Sequence, residues 1–472
     1  MLTIDDLPDD LLLEIFYSYV VRYQDGDFYG LVSGTRKTIR AIQSWQSLVH
    51  VCRRWRGLTF GSPRRLNLQL FYTSGISARK SLDVWPALPL LIQGGVSEMS
   101  VDNVVAELEH SDRIHQISLR CHTTSHLERL WTAMQIPFPE LAHLYLTFQG
   151  WSESYVTVLP DSILDGSAPR LRHLNFTAIP FPGLSTLLLS ATHLVSLWLD
   201  NIPHSGYISP EAMGTCLSML TSLEIFVLRF ESPQSTPDQE SRRSPSLTRS
   251  VLPALVILNF KGANEYLEEL VARIDTPRLD EGMVTLFNDI DLYAPELIQF
   301  ISRSSTFKVP NEAHVSFESQ TTSVKLKPQA SSSKYIIVII LCREPDWQLS
   351  SLAQIWTTSS PLLSTTENLF ISEPVNSQLD WKDGIANIEW LELLLPFTAV
   401  KNLYLSKKFA LRLAPALLEM TGGGTTEVLP TLQNLYLEGF HASESVQEGI
   451  ERFVSARQLT NRPIAISVWD RS

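Results

Sequence analysis

The sequence predicts an α/β fold: a small all-helical N-terminal module followed by an irregular solenoid of strand-then-helix units. Three observations predict it. A pattern of apolar, two variable, apolar, one variable, apolar residues recurs from about residue 63 onward. Helix-like stretches, such as GLSTLLLSATH at 183–193 and EAMGTCLSML at 211–220, lie between successive copies. The first 60 residues lack the pattern and read as helices.

The chain opens on MLTIDDLPDDLLLEIFYSYV. Pro8 suits a first helical position because its missing N–H would be unbonded there, and Asp9, Asp10 and Glu14 place negative charge near the positive end of the helix dipole. Leu7, Leu11, Ile15 and Tyr19 form one stripe at four-residue spacing. Leu12 and Phe16 form a second beside it, and Leu13 falls on a third side. One packing neighbour cannot cover all of that. From the residues alone this reads as an ordinary buried helix in a large core.

The polar, Gly-containing stretch at 22–40 reads as a loop insertion. Helical spacing returns in IQSWQSLVHVCRRWRGL at 42–58, where Trp45, Leu48, Val49, Cys52 and Trp55 or Arg56 fall at three- and four-residue intervals, an apolar face interrupted by a basic one. Arg53, Arg54 and Arg56 read as a solvated side favoured by the C-terminal dipole. A strand is expected next, within GSPRRLNLQL at 61–70. LPDDLLLEIF followed by HVCRRWRGL and this Ser-Pro stretch resembles an F-box, the helical module that docks substrate receptors onto the Skp adaptor of cullin-based ubiquitin ligases. The resemblance implies an F-box-like module over residues 1–60. It also implies adaptor contacts through Leu7, Pro8, Leu12, Ile15, Phe16, Val51 and Trp55, so that the surplus apolar surface of the opening helix is covered by another protein. Pro8 and Trp55 stand 47 positions apart, more than in a compact F-box.

The solenoid is expected over 63–472. Its copies are VSEMSV at 96, IHQISL at 114, LAHLYL at 141, LRHLNF at 171, LVSLWL at 194, LEIFVL at 223, LVILNF at 255, VKNLYL at 400 and LQNLYL at 432. Starts from 114 to 255 differ by 27, 30, 23, 29 and 32 residues, an irregular repeat. The last four residues of each copy alternate as a strand does. The unit resembles a leucine-rich repeat, and the whole chain resembles the large fungal group of F-box proteins with a divergent leucine-rich-repeat receptor region. It departs from the regular repeat in lacking a systematic Asn or Cys after the strand, and in carrying Gly282 where an apolar residue belongs. Between 305 and 345, AHVSF, SVKL and YIIVIIL follow one another without the repeat spacing, so an interruption of the array is expected there. Segments 231–250, 327–334 and 421–427 are built from Ser, Thr, Pro, Gly and charge and read as surface loops.

Composition narrows the function classes. The 38 basic and 50 acidic residues give a net charge of −12, with no dense Lys/Arg run for phosphates, so nucleic acid is not an expected partner. Residues 1–60 hold seven acids and seven bases, which leaves the whole negative excess downstream. Four widely spaced cysteines, an acidic N-terminus and apolar runs too short to span a bilayer predict free thiols, no membrane span and a cytoplasmic or nuclear location.

HExxH, GxSxG and GxxxxGK[ST] are all missing, and the Gly-rich TGGGTTE lacks a phosphate-loop lysine. Pairs such as Glu389 with Glu392, or Asp289 with Asp291, read as solvated acids. No catalytic residue, metal or cofactor is expected. What remains is binding. The residue between the last two apolar positions of each copy faces away from the core, which selects Tyr145, Asn175, Trp198, Val227, Asn259, Tyr404 and Tyr436 as target-binding candidates. Tyr and Trp bury large area for few frozen torsions, as a protein-binding face requires.

The resemblance thus implies a substrate-recognition subunit that binds the Skp adaptor, and through it a cullin scaffold, and holds a target protein on its repeats. A non-ligase scaffold with a packed F-box-like segment is the alternative from another class. An undetected hydrolase in 305–400 is the least supported.

Overall fold

Apolar alternation turns most copies of the six-residue pattern into strands with one buried face, and the segments between them wind into helices that cover it. The computed structural model describes residues 4–21, 44–73, 85–150, 158–181, 184–233, 249–287, 293–329, 332–342, 347–373, 387–419, 428–439 and 444–470. The chain divides into two compact units, Met1–Tyr207 and Ile208–Ser472. The 22–40 insertion, most of 231–250, all of 421–427, and Asp289 with Asp291 lie outside the described residues.

The first unit begins with helices α1 (Asp9–Val21), α2 (Trp45–Val49) and α3 (Arg53–Gly61). The Pro8 carbonyl accepts the Leu12 N–H at 3.1 Å, so Pro8 is the residue before the first turn and not the first helical one. The continuous helix expected over 42–58 is broken. Cys52 is extended (φ −154°, ψ 172°) and its thiol accepts the Trp55 N–H at 3.4 Å, capping α3. The arginines are not simply solvated. Arg54 donates to the Leu7 carbonyl at 2.5 Å and pairs with Asp9 at 2.6 Å, and Arg56 Nε donates to the Val49 carbonyl at 2.9 Å. Trp45 is fully buried, with its indole N–H on the Gln69 carbonyl at 3.0 Å and its ring 5.2 Å from Trp85.

The same unit continues through β1 (Leu70–Thr73), β2 (Leu90–Val96), α4 (Val101–Leu108), β3 (Ile114–Cys121), α5 (Thr124–Ala133), β4 (His143–Phe148), β5 (His173–Thr177), α6 (Leu184–Ser190) and β6 (Ser196–Ile202). The strands pair in parallel in chain order. Register stacks Ile117, Leu144, Leu174 and Leu197 in one buried row, and Leu119, Leu146, Phe176 and Leu199 in another. Two expected strands fall elsewhere. VSEMSV is a turn leading into α4, since its own strand precedes it, and the stretch after Pro63 turns through Asn67 (φ 47°) before β1 begins at Leu70.

The second unit holds α7 (Pro210–Met219), β7 (Ile225–Phe230), β8 (Ser250–Val251), β9 (Ile257–Gly262), α8 (Asn264–Val271), β10 (Ile274–Asp275), β11 (Glu281–Phe287), α9 (Pro295–Arg303), β12 (Glu312–Phe317), β13 (Thr321–Lys327) and β14 (Tyr335–Leu341). It goes on through α10 (Trp347–Leu363), β15 (Asn368–Ser372), α11 (Asn387–Leu394), β16 (Asn402–Leu405), α12 (Lys407–Glu419), β17 (Asn434–Glu438), α13 (Glu444–Leu459) and β18 (Ala465–Trp469). Its main sheet runs β7-β9-β11-β14-β13-β12-β15-β16-β17-β18, while β8 and β10 form a separate short pair. Strand β13 is antiparallel to both neighbours. The chain passes over two strand positions through α9, then doubles back through β13 to fill them, and β14 and β12 still pair in parallel with β11 and β15.

Gly282 has a packing reason. A Cβ there would lie 2.3 Å from Ile336 Cγ1 on the paired strand β14, so the larger neighbour occupies the space an apolar residue would otherwise fill. Gly282→Ala should therefore lower stability by about 1–3 kcal/mol through overpacking, measurable by chemical denaturation. An unchanged midpoint would show that Ile336 can move aside.

Candidate interaction surfaces

The N-terminal module buries one of its two stripes and exposes the other. Leu12 and Phe16 are each 0% exposed, with the Phe16 ring 4.7 Å from that of Trp55. This corrects the expectation that a partner covers both: α2 and α3 fold back onto α1, and their side chains already do so. Ile15 is 45% exposed, Leu11 and Tyr19 are also exposed on α1, and Val51 in the break before α3 is 60% exposed. Leu7 and Trp55 are half-buried and Pro8 is exposed. The apolar surface open to a partner therefore runs through the Leu11, Ile15 and Tyr19 stripe, with Val51 exposed on the same module.

On the sheet face of the first unit, Tyr145, Asn175 and Trp198 are register neighbours on β4, β5 and β6. Trp198 and Asn175 are half-exposed, whereas Tyr145 is buried, with its hydroxyl 3.4 Å from His143 Nδ1. Beside this row stands a file of imidazoles that sequence reasoning missed, because each occupies a variable position of its own copy. His143 and His173 stack with centroids 4.7 Å apart and planes 3° from parallel, and His115 lies 5.5 Å from His143. Burial, reinforced by His173, His115 and Arg172, pushes His143 down to about 3. Burial and Arg172 push His173 down to about 4. The rings are neutral at physiological pH. Among the described residues no three His, Cys, Asp or Glu side chains are grouped to hold a metal.

On the sheet face of the second unit, Val227 and Asn259 are register neighbours, as are Tyr404 and Tyr436. Val227 is buried, so neither it nor Tyr145 offers the free contact surface expected of it: both lie against neighbouring strands and side chains on the same face. Between the two pairs, β11, the doubled-back strands β12 to β14, and β15 place residues the pattern did not select. Met283, Ile337, Lys325, His314 and Phe370 continue the row in register. The row becomes aromatic at its end. His314 stacks on Phe370 at 4.2 Å, Phe370 on Tyr404 at 4.2 Å, and Tyr404 on Tyr436 at 4.4 Å, all within 11° of parallel. Trp469 closes against Phe370 and Tyr404 at 6.0 and 5.7 Å.

Two residues before Phe370, Tyr404 and Tyr436 stand Asn368, Asn402 and Asn434. Asn434 Nδ2 donates to Asn402 Oδ1 at 2.7 Å, and Asn402 Nδ2 to Asn368 Oδ1 at 2.7 Å. Because i and i+2 share a sheet face, this amide ladder and the ring ladder brace each other's strand register. The rings are half-exposed and parallel stacked, so they present edges and hydroxyls, a surface with apolar bodies and polar tips.

No family model matches the chain, and no curated protein matches it. Among solved structures the chain is similar to a leucine-rich repeat-containing protein, LegL7, from Legionella pneumophila. The identity is 10%, the alignment covers 81% of this chain and 97% of that one, and the TM-score is 0.27.

Proposed function

We propose that this chain is a non-catalytic substrate receptor: the N-terminal helices dock the Skp adaptor of a cullin-based ubiquitin ligase, and the sheet face of the repeats holds a target protein. The observation that carries the binding half is the stacked row His314, Phe370, Tyr404 and Tyr436, a preformed aromatic surface whose ordering is already met by strand pairing. The adaptor half rests on the exposed stripe of Leu11, Ile15 and Tyr19 and on Val51. A receptor of this kind contributes proximity: it raises the effective concentration of target lysines near a ubiquitin-charged enzyme. The scaffold alternative is favoured by one fact, the complete burial of Leu12 and Phe16 inside the module.

The test compares proteins covalently captured from cells by the wild-type chain and by Phe370→Ala/Tyr404→Ala/Tyr436→Ala. Hot-spot aromatics contribute about 2 kcal/mol or more each, so specific targets should drop below detection in the variant while adaptor recovery is unchanged. Identical capture by both, with the variant folded, would reject this face as the binding surface.

A further inference from the structure

Strand β14, YIIVIIL, carries apolar residues on both of its faces. Ile336, Val338 and Ile340 are buried in the core. Tyr335, Ile337, Ile339 and Leu341 point the other way and are half-exposed, on the face that carries the aromatic row. Met283 of β11 stands beside Ile337 in register and is half-exposed too. A sheet covered on one side needs apolar residues on that side alone, so folding does not account for this outward ridge.

Two lysines bracket the ridge. Lys261 on β9 is in register with Thr285 of β11, and Lys325 on β13 with Ile337. Lys261 Nζ stands 5.4 Å from the centre of the Phe287 ring, and Lys325 Nζ 4.1 Å from that of Tyr335. These rings hold the ammonium groups against apolar surface but supply no counter-charge. Neither lysine makes an ion pair among the described residues. The carboxylates on the same face are engaged or distant. Glu312 is buried, 3.2 Å from His314 and 3.9 Å from Lys327. Burial, with Lys327 adding to it, pulls Lys325 below the usual lysine range, and Glu281 opposes that from beyond ion-pair distance. In a chain of net charge −12, two cations left without carboxylates beside an apolar ridge are complementary to negative charge brought by a partner.

We propose that this ridge receives a short extended segment of the target protein in which apolar side chains lie between two carboxylates. The inference rests on the proposed reading of this face as the target-binding surface. The apolar side chains cover Met283, Ile337 and Ile339, one carboxylate pairs with Lys325 and the other with Lys261. The two lysines are three strands apart and offset by two residues, about 14 Å across the sheet and about 7 Å along it, or about 16 Å in all. An extended chain advances about 3.4 Å per residue, so the two acids stand about four or five positions apart. Lys325 is also in register with His314, so the segment runs on to the aromatic row. A nucleic-acid backbone fits poorly, because it would lay charged phosphates over the aliphatic floor.

Random dodecapeptides displayed on phage and selected on the immobilised full chain test the chemistry. Enriched peptides should carry two acids about four or five positions apart with aliphatic or aromatic residues between them. A fluorescein-labelled copy of the most enriched peptide should bind the full chain about tenfold more weakly after Lys261→Met and about tenfold more weakly after Lys325→Met. Methionine keeps an apolar stem on each ring, so the fold is retained. Lys325→Glu should abolish binding, and a peptide with lysine in place of one of its two acids should restore it, which fixes the register. Peptides weakened by Phe370→Ala/Tyr404→Ala/Tyr436→Ala but bound equally by both Met variants would leave the receptor face standing and overturn the ridge. Enrichment of peptides without paired acids, or of none at all, overturns it as well.

Discussion

Alanine at Phe16 should unfold the N-terminal helices instead of merely blunting a contact surface. The ring is fully buried, 4.7 Å from Trp55, and sits where α1 meets the rest of the module. Removing a buried aromatic costs about 3–5 kcal/mol, and Leu12→Ala beside it about 2–5 kcal/mol. A small helical module whose cysteine, Cys52, is free has little stability to spare. Hydrogen exchange of the amides over α1 and α3 should rise to unprotected rates in the double variant, while those of β15 to β17 stay protected. Protection retained over α1 would mean that the helices are held by contacts other than this core.

The second large effect is on pH. The pKa values of folded His143 and His173, about 3 and about 4, lie below the unfolded value of 6.5. As pH falls, the unfolded chain takes up protons before the folded one does. The stability they contribute is therefore complete above about 6.5 and is lost as pH falls toward the folded values. A tenfold difference in proton affinity between the folded and unfolded chain is worth about 1.4 kcal/mol. Allowing for solvent screening of half-buried rings, the pair should remove several kcal/mol, on the order of half the stability of a typical domain, between about pH 6.5 and about pH 4.

Glu107 acts in the opposite sense. It is buried, neither carboxylate oxygen has a hydrogen-bond partner among the described residues, and burial raises it from 4.5 to about 8, so its contribution is complete below 4.5 and is lost as pH rises through 8. Denaturation midpoints should show an acid limb that flattens in His143→Asn/His173→Asn and an alkaline limb that flattens in Glu107→Gln. Unchanged limbs in both variants would contradict these assignments.

Most strands were legible because their copies alternate cleanly over four residues, as in LAHLYL and LQNLYL. The strand at 368–372 was not, because Thr366, fully buried, takes the place of the first apolar residue in TENLFI. That omission hid Phe370, the centre of the ring stack. The doubling back at β12 to β14 shows in sequence only as a loss of spacing, since strand order is set by long-range pairing that no local pattern encodes. Likewise, periodicity counted the apolar stripes of α1 correctly but could not say which one the chain itself covers. Tertiary packing decides that: Phe16 lies against the Trp55 ring of α3, and Leu12 is buried with it while Ile15 stays outside, an arrangement that the Arg54 bonds to Leu7 and Asp9 accompany.

The receptor account is tested most directly by titrating the purified full chain with a Skp adaptor and measuring complex formation by calorimetry, for the wild type and for Ile15→Asp/Val51→Asp. Both positions are exposed, so the variant should keep its fold. Burying two uncompensated carboxylates in an apolar contact costs several kcal/mol, a loss of about a thousandfold or more in affinity. A one-to-one complex with the wild type and no measurable heat with the variant is the predicted result. A wild-type chain that binds no adaptor, or a folded variant that binds it equally well, would contradict the account.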